Sequence, residues 1–147
     1  MRRAIELSRD NRGGGPFGAL VVVRGRIVGE GRNQVVPSRD PTAHAEINAI
    51  RAACQEVGSH SLEGAVLYTS CEPCPMCLAA AFWARVGRIV WANSRADATA
   101  IGFDDEAIYR EVSLSPGERA IPSSRLLAAE ALAVLREWAA RPDRTMY

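Results

Sequence analysis

AVLYTSCEPCPMCLAAAFWARVGRIVWA, residues 65–92, decides the architecture. Its first six residues, Ala65 to Ser70, are rich in apolar, β-branched and aromatic side chains, the composition of a strand. Cys74-Pro75 then opens a helix, because a proline at the first helical position gives up only an amide that has no partner there. The apolar helix is predicted to run to about Val86, and Arg88 to Ala92 is a second strand. Two strands joined through one helix pair in parallel.

Working outward, Phe17 to Arg24 is a valine-rich buried strand, Gly25 a turn, and Arg26 to Asn33 its hairpin partner. Asp40-Pro41 repeats the cap-then-proline signal and opens a helix expected to reach about Val57, with Ala43, Ile47, Ile50 and Cys54 at helical spacing. Met1 to Asp10 is a short helix candidate, broken by Asn11-Arg12-Gly13-Gly14-Gly15-Pro16. Beyond the last strand come a loop around Gly102 to Asp105, a helical stretch Glu106 to Glu111, a long helix Ser123 to Ala140 and a tail, Arg141 to Tyr147. This order predicts an α/β fold, a mixed sheet with helices on both faces.

The 147 residues suit one domain, 1–147, with its own core. Hydrophobic residues make up 48% and charged residues 24%, so no metal is needed to compensate for small size, and a bound metal would be functional. A net charge of +1 argues against a broad face for long nucleic acids. No apolar run is long enough for a bilayer, and the first residues lack a signal-peptide core, so a cytoplasmic location is expected. In that compartment four cysteines point to metal or catalysis before disulfides.

Thr42-Ala43-His44-Ala45-Glu46 and Pro73-Cys74-Pro75-Met76-Cys77 carry the chemistry. Thiolate and imidazole suit zinc, and a helix N-terminus helps thiols ionise. Cys74 and Cys77, three apart at a helix start, can face one point. With His44 they leave one coordination position for water. Glu46 would then lie beside that water without being a ligand, able to take its proton and pass it to a leaving amine. H-x-E followed by P-C-x-x-C is the zinc deaminase pattern. The competing reading recruits Cys71 as a fourth ligand and closes the site as a structural one. Cys54 reads as a core thiol and His60 as surface.

Together with Gly14-Gly15-Pro16-Phe17-Gly18-Ala19, Asp40 to Glu46, Tyr68 to Cys77 and Gly102-Phe103-Asp104-Asp105, these motifs make nearly the whole chain resemble the bacterial guanine deaminases of the cytidine-deaminase superfamily. The resemblance implies a three-layer α/β/α fold with a mixed sheet of about five strands. It implies one zinc per subunit, release of ammonia from guanine to give xanthine, and a homodimer that exchanges its C-terminal segments, about residues 120–147. Carried over by residue, Asn33 would hold the purine by its amide and Ala45 would offer a backbone group. Phe17 and Trp83 would pack near the base. Asp105 would be a second catalytic carboxylate near the amino group, and Tyr147 would reach the partner's site. Two departures stand out: a shorter N-terminal helix, and an alanine- and leucine-rich stretch from Leu126 to Leu135. Guanosine, cytosine, ammeline or a tRNA adenosine are alternative substrates for the same reaction, and a non-catalytic zinc-stabilised binding module is the alternative of another class.

Overall fold

The computed structural model describes residues 1–9 and 13–146. It divides into two units, Met1–Glu106 and Ala107–Tyr147. In the first, strands β1 (Gly18–Val23), β2 (Arg26–Arg32), β3 (Val66–Cys71) and β4 (Arg88–Asn93) form one sheet in the order β2-β1-β3-β4. β1 pairs antiparallel with both β2 and β3, and β3 pairs parallel with β4, so the sheet is mixed as expected. The β1–β2 hairpin closes through Arg24 and Gly25, both at positive φ, the tight turn whose twist matches its flanking strands.

Register fixes the layers. Cross-strand partners share a face, so Gly31, Ala19, Thr69 and Trp91 form one row and Gly29, Val21, Leu67 and Ile89 the next. Helix α3 (Ala45–Val57) lies on this face, so close that a methyl group at Gly31 would overlap the Ala45 carbonyl and come within 2.5 Å of the Ala49 nitrogen. Helix α4 (Pro75–Trp83) bridges β3 and β4, and Ala81 joins the same core with Leu67, Ala49 and Ala53. Burying Leu67 completely contributes about 1.5–3 kcal/mol. Helix α1 (Arg2–Arg9) covers the opposite face: Leu7 and the Ala4 carbonyl lie directly over Gly18. Arg3 holds Glu30 of β2 there through two bonds of 2.7 Å.

Several expectations are corrected. The sheet has four strands among the described residues, not about five, because the chain after β4 turns at Ser94 into helix α5 (Arg95–Ala100). Ser94 and Asp97 form a reciprocal cap there, each side chain meeting the other's backbone N–H, and that signal went unread in the sequence. Asp40-Pro41 does not open α3. Asp40 Oδ1 instead accepts from the amide and hydroxyl of Thr42 in a tight turn, after a short helix α2 (Val35–Ser38), and α3 starts at Ala45 with His44 as its N-cap. Helix α4 stops at Trp83 rather than near Val86, where Arg85 takes positive φ.

The second unit carries α6 (Glu106–Ser113) beyond its first residue, and α7 (Ala128–Ala139), shorter than the predicted Ser123–Ala140. No residue of either helix is buried, and Leu127, Leu132, Leu135 and Trp138 are exposed. Among the described residues no helix is long and apolar enough to cross a membrane.

Candidate active site

Two helix starts build the site. His44 is the N-cap of α3 and Cys74 the N-cap of α4, both extended in backbone, and neither side chain caps its helix. Both side chains are thereby free to meet in front of the helices. His44 Nδ1 lies 3.6 Å from the sulfurs of both Cys74 and Cys77. Tetrahedral zinc, at its usual bond lengths to nitrogen and sulfur, spaces such atoms by about 3.6 Å. The three ligand atoms lie within 4.8 Å of one another, so His44, Cys74 and Cys77 are placed to bind a metal ion.

Electrostatics agree with a cation there. The hydrogen bond from Cys77 pulls the Cys74 thiol down to about 4, and His44 supports that shift. The same contact with Cys74, together with burial and the Glu46 charge, pushes Cys77 far up. One buried thiolate thus opposes a second, and a dication relieves the repulsion. The hydrogen bond to Cys74 raises His44 above the usual imidazole range.

Glu46, in the first turn of α3, is 5% exposed. Thr69 Oγ1 donates to its Oε1 at 2.8 Å and Cys77 Sγ to its Oε2 at 3.4 Å. Thr69 stands in the sheet row that faces α3, which is how strand register aims this carboxylate. Burial raises the Glu46 pKa. Glu46 is outside the three-residue cluster, and so is Cys71, whose thiol donates to the Ser94 carbonyl at 3.5 Å. Burial pushes Cys71 up to about 11, the behaviour of an inert thiol.

His44, Glu46, Cys71 and Cys74 open into a cavity of about 250 Å³. Asn33, Phe17 and Asp105 also line it. Asn33 is 5% exposed, and its Oδ1 accepts from the amides of Gly15 and Val35, each at 3.3 Å. Its amide thereby stands at the cavity wall, held by the Gly15 and Val35 backbone. Burial, then the charge on Cys74, raises the Asp105 pKa. Its neighbour Asp104 instead accepts from the Glu106 amide at 3.0 Å at the start of α6, which separates the two acids. Ala45 lies fully buried between His44 and Glu46, at a helix position whose amide has no intrahelical acceptor.

Trp83 does not line the cavity. It is 63% exposed at the far end of α4, about 13 Å along the helix axis from Cys74. Phe103 lines the cavity, meeting Phe17 edge to face with ring centroids 4.9 Å apart. Glu72 and Ala98 line it as well, and no local pattern in the sequence marks these three residues. Tyr147 lies outside the described residues.

The family described as the cytidine and deoxycytidylate deaminase zinc-binding region matches residues 1–93. Guanine deaminase from Bacillus subtilis (strain 168) is 47% identical over 141 residues, 94% of this chain and 90% of that protein. A crystal structure of Bacillus subtilis guanine deaminase superposes with a TM-score of 0.96, at 44% identity, over 99% of this chain and 95% of that one. A solved structure of guanine deaminase from Nitrosomonas europaea gives a TM-score of 0.68 at 34% identity, over 95% of this chain and 82% of that one. The ligand cluster, the cap geometry that creates it and these likenesses lead to one assignment: the chain belongs to the cytidine and deoxycytidylate deaminase zinc-binding family, in its guanine deaminase branch.

Proposed function

We propose that this chain hydrolyses guanine to xanthine and ammonia. The observation that carries the reading is one small cavity lined by two of the metal ligands, by the acids Glu46 and Asp105, and by the Asn33 amide. Its volume of about 250 Å³ lies just below the usual range for drug-sized ligands, about 300–1,000 Å³, and suits a single heterocycle. No arginine or lysine is among the described lining residues, while Glu46, Glu72 and Asp105 are. A phosphate in the cavity would meet these carboxylates, which favours a neutral base over a nucleotide.

His44, Cys74 and Cys77 would hold one zinc ion, which makes water nucleophilic at neutral pH. Glu46 takes a proton from the attacking water as the oxygen bonds to the ring carbon carrying the amino group. It returns that proton to the nitrogen as the carbon–nitrogen bond breaks and ammonia leaves. Thr69 holds the carboxylate in place through this exchange. Asp105 accepts from the exocyclic amine, and Asn33 holds the purine by its amide at the cavity wall. Phe17 supplies an apolar wall, and the Ala45 amide is offered at the helix start.

The same reading takes 1–147 as one functional domain in a cytoplasmic homodimer, with residues from about 120 to 147 exchanged and Tyr147 reaching the partner's site. What supports exchange is α7, which carries exposed Leu132, Leu135 and Trp138 and buries nothing. Ammonia release measured on guanine, guanosine, cytosine and ammeline tests the substrate, with Glu46→Ala as control. Guanine turnover is expected, lost by about 100- to 10,000-fold in Glu46→Ala with zinc retained. Activity on a nucleoside and none on the free base would overturn the reading. A monomer by gel filtration would remove the exchange.

A further inference from the structure

The loop that carries Phe103 and Asp105 is tied to the ligand motif through the Glu72 carboxylate, beside the bond from Cys71 to the Ser94 carbonyl. Glu72 stands between Cys71 and Pro73-Cys74. Its Oε2 accepts the amide N–H of Arg95, the first residue of α5, at 3.1 Å. Its own amide donates to the Asn93 carbonyl at 2.8 Å, which aligns the motif with the end of β4. One short helix later, the amides of Ile101 and Phe103 both donate to the Ala98 carbonyl, and Gly102 at φ +94° turns the chain back. The Arg95 guanidinium reaches Glu106 Oε2 at 3.7 Å, next in sequence to Asp105. Arg95 therefore joins Glu72 through its backbone and the far end of the loop through its side chain. Ala98, Phe103 and Asp105 of this segment all face the cavity.

We infer that Glu72 is a positioning residue, whose hold on the Arg95 amide sets where Asp105 and Phe103 stand against the substrate. The inference rests on Asp105 contacting the guanine amino group, as proposed above. The bond from the Arg95 amide to the Glu72 carboxylate joins the Ser94–Asp97 cap in fixing the start of this six-residue helix, and it is the one that ties the helix to the ligand motif's own side chain. Lost, it lets the segment shift and misplaces the reacting base.

The zinc-loaded, full-length protein tests this. Glu72→Ala is expected to keep its zinc and lose about tenfold in kcat/KM on guanine, the loss of one charged hydrogen bond. Glu72→Gln retains an acceptor oxygen and is expected to stay within about threefold of wild type. Hydrogen exchange of residues 95–105 should quicken in Glu72→Ala and not in Glu72→Gln. In an Asp105→Ala background, Glu72→Ala should add less than about threefold, because both act through one contact. Unchanged exchange in Glu72→Ala, no rescue by glutamine, or losses that multiply would overturn the inference. If Asp105→Ala turns guanine over like wild type, the reading of Asp105 fails, and the exchange measurement still decides whether Glu72 holds the segment.

Discussion

Thr69→Val isolates the setting of Glu46 from its presence. Thr69 is fully buried and its hydroxyl donates to Glu46 Oε1 at 2.8 Å. Valine fills nearly the same volume and cannot donate. A hydrogen bond to an ionised group is worth about 1.5–3 kcal/mol. One pKa unit corresponds to about 1.4 kcal/mol, so the Glu46 pKa should rise by about 1–2 units. The sign follows from the opposing effects: burial already raises this pKa, and the Thr69 bond lowers it. Glu46 must be ionised to accept a proton, so activity falls as pH drops through its pKa. The acid limb of the kcat profile should therefore move up by about 1–2 pH units, with the plateau at higher pH retained. The assay is ammonia release at saturating guanine across pH, with zinc content measured at each point. Acid limbs that superimpose at full zinc occupancy would refute the reasoning, as would a uniform drop at every pH. Thr69→Ser, which restores the donor, should return the limb to its original position.

Three further outcomes are expected. Cys71→Ser should bind one zinc per chain as wild type does, because its thiol faces the Ser94 carbonyl; zinc loss by metal analysis would make Cys71 a ligand. Gly31→Ala should cost about 1–3 kcal/mol, since the added carbon overlaps the Ala45 carbonyl; an unchanged midpoint in denaturant would contradict the packing of α3. Arg3→Ala should destabilise the chain only above the ordinary carboxylate range. The hydrogen bond from Arg3 lowers the Glu30 pKa, so its contribution is present above the unfolded value and disappears as pH falls through the folded one. Melting temperatures of the two proteins should converge in acid, and a constant gap would argue against the pair.

The sequence revealed the strand–helix–strand of residues 65–92 and the metal ligands because each has a local signature. A proline after Cys74 marks a helix start whatever surrounds it. Asp40-Pro41 carried the same signature and meant something else, because an aspartate can as readily close a tight turn on Thr42. The metal geometry tolerated that error: His44 reaches the cluster as the cap of α3 rather than from within its first turn. Phe103 and Glu72 were not legible, since their contacts run to Phe17 and Arg95, across 86 and 23 residues of chain. Such pairings depend on strand order, which local patterns do not encode. Trp83, placed near the base by the resemblance alone, stands at the far end of α4 and is not among the residues that line the cavity.

The two N-caps carry a cost outside the chemistry. Serine, threonine, aspartate or asparagine at such a position satisfies an exposed amide, and its loss typically costs about 1 kcal/mol. Histidine at the start of α3 and cysteine at the start of α4 make no such bond, because their side chains turn to each other instead. Each helix thus begins without the side-chain bond that a better cap residue would supply. Substituting His44→Asp or Cys74→Ser would strengthen a helix and dismantle the metal cluster in the same step. These two positions are where selection for a sturdier fold and selection for turnover pull in opposite directions.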